Sequence, residues 1–279
     1  DIWSKLLALR SLRPRPLRDE KVICSWNGLM ISALSRYARV CTSPIALQMA
    51  EEAADFIFNN LYLDKKLYRR WIEGEAKFEA QLEDYAFFIE GLIELSQSSG
   101  DKKYLERALE LQERADAIFY RSSENYYVSN TKEHLLRENE DYSDNVTPSP
   151  VSTQIVNLIW LGELSAKTEY LDRAEKLLEK VTDALDRYPL GYSRLLEALM
   201  LTQTERESVA VVCSPTYKSE DRLLEHQKIE KIYKPFRKTI ISHDNTHPLL
   251  KGKALKHQNL SFYVCLGKTC KEAQDHYEI

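Results

Sequence analysis

Glycine is scarce in this sequence, 8 residues in 279. No glycine-rich run of the kind that cradles phosphates occurs, and neither a GxSxG nucleophile turn nor an HExxH zinc helix is present. There is no run of about 18 apolar residues to span a bilayer, and no basic-then-apolar leader opens the chain. Net positive charge is missing as well. With 39 basic against 43 acidic residues and a formal charge of −4, no field gathers nucleic acid or an anionic membrane. The five cysteines, Cys24, Cys41, Cys213, Cys265 and Cys270, are an odd and scattered set, unlike a secreted disulfide framework. Cys265 and Cys270 lie close, but without a second ligand pair they are a weak zinc signal. These absences point to a reducing, cytoplasmic setting with no resident metal or cofactor. The chain begins Asp1-Ile2-Trp3 without methionine, which reads as a fragment or a processed product.

What is present is an ordinary soluble composition, 29% charged and 43% hydrophobic, with 16 tyrosines. Many aromatics and few glycines suit a helix-rich protein whose loops are held by packing. The first 22 residues, basic and broken by Pro14 and Pro16, read as a solvated connector. Trp26 to Val40 then has the apolar spacing of an amphipathic helix. Ser43-Pro44 interrupts it, and Pro44 suits the opening of a second helix that runs to about Leu61. Leu63 to Glu79 has another rhythm, rich in Tyr, Trp, Arg and Lys around Gly74, and reads as a β-hairpin or long loop.

The cycle repeats. Tyr85 to Gln97 is apolar nearly all round and predicts a buried helix; Lys102 to about Tyr120 predicts its charged partner. After an irregular stretch, Asn125 to Pro150, come Val151 to Leu164 and Tyr170 to Arg187. Tyr104-Leu105-Glu106-Arg107-Ala108 matches Tyr170-Leu171-Asp172-Arg173-Ala174, 66 residues later, and Ala50 holds the place of Ala108 in the first cycle. Such spacings are too long for tetratricopeptide units. They fit a helical hairpin plus a loop excursion, the unit of an α/α toroid with apolar helices inside and charged helices outside. Tyr192 to Leu201 predicts a fourth inner helix. From about residue 208 the character changes. Ser208 to Cys213 predicts a buried strand, Asp221 to Ile232 a helix and Ser261 to Cys265 a second strand. The expected organisation is a connector (1–22), a partial α/α-hairpin toroid with β-hairpin excursions (23–205) and a small α/β lobe (206–279).

In a toroid, the loops entering the inner helices surround the mouth of a pocket. Three entries carry polar groups: Trp26-Asn27; Arg70-Trp71 followed by Glu83-Asp84; and Asp144 ahead of Pro148 and Ser149. An aromatic beside an amide or guanidinium suits a sugar ring, and paired carboxylates can supply an acid and a base. On this reading Asp84 and Asp144 are the acid/base candidates with Glu83 in support, and Trp26, Asn27, Arg70 and Trp71 hold the ligand. Each also has a structural reading: Asp84 as a helix cap, Asp144 as a turn cap, Trp26 and Trp71 as packing. Convergence of Asp84, Asp144, Arg70 and Trp71 on one cavity favours the first reading; carboxylates spent on caps favour the second. Most histidines lie in the tail, and His243 with His247 reads as a surface turn.

The block Lys21-Val22-Ile23-Cys24-Ser25-Trp26-Asn27-Gly28-Leu29-Met30 resembles the C-terminal part of the spermatogenesis-associated protein 20-like, thioredoxin-domain-containing family. Leu82-Glu83-Asp84-Tyr85-Ala86, the segment Asp144 to Ser149, and Phe262-Tyr263-Val264-Cys265 with Cys270 extend the resemblance in the right order. It implies a toroid of the six-hairpin glycosidase type, similar to those of N-acylglucosamine 2-epimerases and several glycoside hydrolases. It also implies a thioredoxin-like partner domain and early hairpins that this chain lacks. The family's Pro-Ser-Gly-Asn-Ser becomes Pro148-Ser149-Pro150-Val151-Ser152 here, losing a glycine and an amide. A partial ring leaves apolar inner helices uncovered. The resulting expectation is a domain that binds or processes a sugar-like ligand, as a hydrolase or an epimerase would. The alternative is a non-catalytic scaffold for a thioredoxin-fold protein.

Overall fold

A computed structural model of the chain describes residues 1–129, 142–181, 185, 188–267 and 269–277. The opening segment, expected as a solvated connector, holds a helix, α1 (Ile2–Ser11). Its residues are good helix formers, and the Asp1 side chain caps the Trp3 N–H. None of its residues is buried. Pro14 and Pro16 prevent its continuation.

A short strand, β1 (Val22–Ile23), leads into the first hairpin, α2 (Cys24–Cys41) and α3 (Pro44–Asn60). Pro44 sits in the first turn of α3, and Ser43 caps it by accepting from the Ala46 N–H. The expected excursion is a sheet. β2 (Tyr62–Leu63) and β4 (Glu75–Glu79) both pair antiparallel with β3 (Lys66–Ile72), and β1 joins the other end of β3 through Val22 opposite Trp71 and Ile23 opposite Arg70. The second hairpin is α4 (Leu82–Ser99) and α5 (Lys102–Phe119), followed by the small β5 (Tyr120–Arg121) and β6 (Tyr126–Tyr127) pair. The third is α6 (Pro150–Ser165) and α7 (Thr168–Glu179), and α8 (Ser193–Gln203) follows. Residues 182–184 and 186–187 of the predicted Tyr170 to Arg187 helix, residues 130–141 of the irregular stretch, and His134 lie outside the described residues.

The inner row is α2, α4, α6 and α8, each packed on the next, and α3, α5 and α7 lie outside against their predecessors. This is the partial α/α toroid read from the repeats. α2 and α4 cross closely because Gly28 and Gly91 carry no side chain. A Cβ at Gly28 would lie 2.6 Å from the Phe87 backbone carbon, and one at Gly91 would lie 2.7 Å from the Gly28 carbonyl oxygen. Polar side chains on the buried helices bond to the neighbouring hairpin, as buried amides must. Asn157 Nδ2 donates to the Ala86 carbonyl at 2.7 Å, and Gln154 Nε2 donates to Gln112 Oε1 at 2.5 Å.

The tail forms a four-stranded sheet in the order β10-β9-β7-β8. β7 (Glu207–Cys213) leads through α9 (Ser219–Glu230) to the parallel β8 (Arg237–Ser242), while β9 (Leu260–Leu266) is antiparallel to β7 and β10 (Thr269–Cys270) is its short edge partner. β8 was hidden in the sequence by Arg237 and Lys238, two cations at the start of an otherwise apolar strand. Both are buried because each finds a carboxylate, Glu230 for Arg237 and Glu94 for Lys238. Ala210, Val212, Ile240 and Tyr263 join the main helical core, and Val209, Val211, Ile241 and Phe262 form a second cluster.

Two features dock this sheet on the helices. Glu94 of α4 receives Arg39 at 2.5 Å, Arg36 at 3.2 Å and Lys238 of β8. Burial raises its pKa, but Lys238, Arg36 and Arg39 together hold the carboxyl well below the usual range. Gly100 ends α4 at φ +69, and a Cβ there would lie 2.2 Å from the Ile241 carbonyl oxygen. Two tail expectations change. His247 is in a turn but is buried, its Nδ1 accepting from the Leu249 N–H at 3.2 Å, and burial lowers its pKa to about 4. Cys265 and Cys270 are bonded to each other as a disulfide, so neither sulfur is a free metal ligand. Among the described residues no helix is long and apolar enough to cross a membrane.

Candidate functional site

Asp84 stands at the third position of α4 and is fully enclosed. Its Oδ2 accepts from the Gln81 N–H at 2.9 Å, closing the capping box of its own helix, and from Arg69 Nη1 at 3.1 Å. Its Oδ1 accepts from the Ser25 N–H at 3.1 Å, at the head of α2. One carboxylate thus ties two inner helices together at their entries. Burial pushes its pKa up to about 6, against the pull of the Gln81 N–H, Arg69 and the Ser25 N–H. Asp144 does the same for the next pair of inner helices, α6 and α8. Its Oδ1 accepts from the Ser149 N–H at 2.8 Å, before α6, and its Oδ2 accepts from the Arg194 N–H at 2.7 Å in α8. The recurrence seen in sequence is therefore a recurrence of backbone clamps at helix heads, where N–H groups lack partners.

The tryptophans, Asn27 and Arg70 take no part in these clamps. Trp26 projects from α2 at 64% exposure. The Asn27 amide donates to the Ile23 carbonyl at 2.8 Å, within its own turn. Trp71 packs edge-on against Phe56 with centroids 5.2 Å apart. The Arg70 guanidinium lies 5.1 Å from the centre of the Phe78 ring.

Glu83 alone of the selected residues lines a cleft, about 440 Å³ in volume, between the β3–β4 hairpin and the heads of α4 and α6. Arg69, Phe78, Glu79 and Gln81 line it too, with Ser129 and Pro150. Arg69 pairs with Glu83 and reaches back to Asp84, so the buried carboxylate touches the cleft through this guanidinium. The register places Tyr68 opposite Glu79 and Arg70 opposite Lys77, which sets Phe78 across from Arg69. Phe78 is exposed and has φ +61. A bulky residue in that region is strained by a crowded Cβ, and such strain gathers at ligand sites. Sequence reasoning missed Arg69 and Phe78. Nothing in the sequence separates Arg69 from Arg70, because both reach this region, Arg70 at the Phe78 ring and Arg69 along the cleft wall.

Chemically, the cleft offers an apolar ring face, a guanidinium and two carboxylates, Glu79 and Glu83. That set can stack a ring and bond to hydroxyl groups.

No family model matches the chain. It is 28% identical over 251 residues to spermatogenesis-associated protein 20 of Rattus norvegicus, covering 85% of this chain and 32% of that protein. The Homo sapiens protein of that name is 25% identical over 286 residues, covering 95% and 36%. An uncharacterised protein of Caenorhabditis elegans is 26% identical over 275 residues, covering 94% and 37%. The chain therefore spans about a third of the length of the curated relatives it matches. Among solved structures, a GH76 α-mannanase of Bacteroides thetaiotaomicron superimposes with a TM-score of 0.54 at 13% identity, covering 77% of this chain and 59% of that one. A cellobiose 2-epimerase of Bacillus thermoamylovorans gives 0.49 at 16% identity, covering 59% and 45%. Over most of its length the chain is similar to the spermatogenesis-associated protein 20 proteins, and its fold is a partial α/α toroid of the six-hairpin glycosidase type.

Proposed function

We propose that the chain binds a sugar-like, polyhydroxylated ligand in the cleft at the heads of α4 and α6. The observation that carries this reading is the exposed, strained Phe78, backed by the Arg70 guanidinium, lining one cleft with the Arg69–Glu83 pair. Phe78 is the stacking platform, and Arg69, Glu79 and Gln81 meet hydroxyl groups. If the site also does chemistry of the hydrolase or epimerase kind, Glu83 and Glu79 are the carboxylates with access to the ligand. Asp84 and Asp144 then act by holding the helix heads in place rather than by touching substrate.

The test is a thermal-shift screen of the purified chain against mono- and disaccharides, uronic acids and amino sugars. Selective binding to the folded state raises its melting temperature in a dose-dependent way. Phe78→Ala is expected to weaken binding of the responding class about 3- to 10-fold, the weight of a stacked ring. Its stability should stay within about 0.5 kcal/mol, as usual at an exposed site. Glu83→Gln should abolish any turnover while the protein stays folded. If no saccharide shifts a well-folded sample, the scaffold reading takes over. That second reading has its own support, since both Asp84 and Asp144 are occupied by backbone N–H groups. On it, the chain serves a thioredoxin-like partner domain without binding a ligand itself.

A further inference from the structure

We propose that the Cys265–Cys270 disulfide is an exchangeable pair that reacts with small thiols entering a second cleft, a site independent of the saccharide reading. This cleft, about 520 Å³, lies where the α6–α7 turn meets the tail sheet. Both cysteines line it, together with Leu164, Leu249, Arg206 and Lys253. The two sulfurs are joined directly across the β9–β10 pairing, Cys270 opposite Cys265. Cys270 is on the exposed edge strand, whereas Cys265 is buried in the sheet. The bond is therefore open to attack from the cleft on one sulfur, with the other held as leaving group.

The crosslink does little to hold the fold. It closes a loop of sequence separation 5, and short loops remove little chain entropy from the unfolded state. β9 is already fixed along its length by pairing with β7. The charges on the cleft divide the work. Arg206 is taken by Glu163 at 2.9 and 2.7 Å. Lys253 has no carboxylate partner among the described residues, and its ammonium lies 5.8 Å from the centre of the Tyr263 ring. An unpaired ammonium in the cleft attracts a thiolate or the carboxylates of a small acidic thiol, and it favours the thiolate formed as the disulfide opens.

The exchange takes two steps. A thiolate attacks Sγ of Cys270, the S–S bond breaks, and its electron pair leaves on Sγ of Cys265, which takes a proton from solvent. A second thiolate attacks the outer sulfur of the mixed disulfide, and the electron pair leaves on Sγ of Cys270, which is protonated in turn. Two small thiols are oxidised to their disulfide, and the protein cystine is reduced to two thiols.

The experiment equilibrates the folded chain with graded ratios of reduced to oxidised glutathione. After an acid quench, alkylation and peptide mass spectrometry read the state of Cys265 and Cys270, with circular dichroism following the fold. The expected result is a shift from disulfide to dithiol with the helical signal intact. Lys253→Glu should slow the approach to equilibrium several-fold. A pair that stays oxidised in excess reduced glutathione, or opens only when the chain unfolds, overturns the proposal. An unchanged rate in Lys253→Glu overturns the role of the lysine. A Cys265→Ser/Cys270→Ser variant that keeps its cooperative melt supports an exchangeable pair; one that fails to fold marks the bond as a structural staple and overturns it.

Discussion

Asp84 is a carboxylate with no exposed surface and donors from three residues, two of them backbone N–H groups. Its pKa of about 6 lies above the ordinary aspartate value of 3.8 because burial disfavours the charge. A group whose folded-state pKa is raised contributes stability that is complete below its unfolded value and is lost as pH rises through the folded one. The stability attributable to Asp84 is thus full below about pH 4 and gone above about pH 6, on the order of 2–3 kcal/mol. Asp84→Asn removes this dependence, and it also sets an amide N–H against backbone donors, costing about 1–3 kcal/mol. Urea unfolding midpoints measured from pH 4 to 7 should fall more steeply for the native chain than for the variant. Parallel curves would remove Asp84 as the titrating group. Arg69 carries a related lesson. Arg70-Trp71 is the pair singled out in the sequence; Arg69, one residue earlier on β3, lines the cleft and pairs with Glu83, while Arg70 stacks on the Phe78 ring.

At the scale of elements, the repeats were legible because burial repeats with them. Ala50, Ala108 and Ala174, matched by sequence alone, are all fully enclosed, and Tyr104 and Tyr170 are both buried at the start of outer helices. The Trp-Asn-Gly-Leu-Met block has a physical cause at its glycine. Gly28 lets α2 lie against the backbone of α4 at Phe87, with Gly91 opposite. Gly28→Ala is expected to force the helices apart. It should cost about 1–3 kcal/mol or more despite the better helix propensity of alanine, because the obstructing atoms are backbone. A melting curve decides it, since a variant as stable as the native chain would mean that the crossing can open freely.

For the whole molecule, the joint between helices and tail sheet rests on Glu94. Glu94→Gln leaves Lys238 buried without its counter-charge and Arg39 with Glu230 at 4.0 Å alone, and breaking such a buried pair costs about 3–5 kcal/mol. The loss should appear first at the joint. Hydrogen exchange of β8 and α9 should rise before that of α4, whereas uniform exchange across the chain would show the sheet and helices opening as one unit. The other large-scale feature is an uncovered face. Trp26, Met30, Tyr37 and Val40 form an exposed row along α2, and every large apolar residue of α1 is exposed, as expected of an inner helix at the end of an incomplete ring.

The sequence by its pattern determined the helical hairpins, their order and which helix of each pair lies inside, because burial of one face leaves a 3.6-residue signature on the outer helices and burial on most sides leaves the inner ones apolar all round. Pro44 marked the start of a helix in the sequence, and Ser43, Asp101 and Ser149 cap helices in the structure, since orphan N–H groups demand a local acceptor. Only the tertiary structure decided which polar residues meet. Asp84 and Asp144 looked like a catalytic pair because each stands at a helix head, yet their partners, Ser25 and Arg194, are distant in sequence. Phe78 lies exposed at φ +61, a conformation the sequence does not announce. Arg237 and Lys238 became part of a buried strand through carboxylates on other elements. Charge pairing and strain are set between elements, so they leave no period in the sequence to be read.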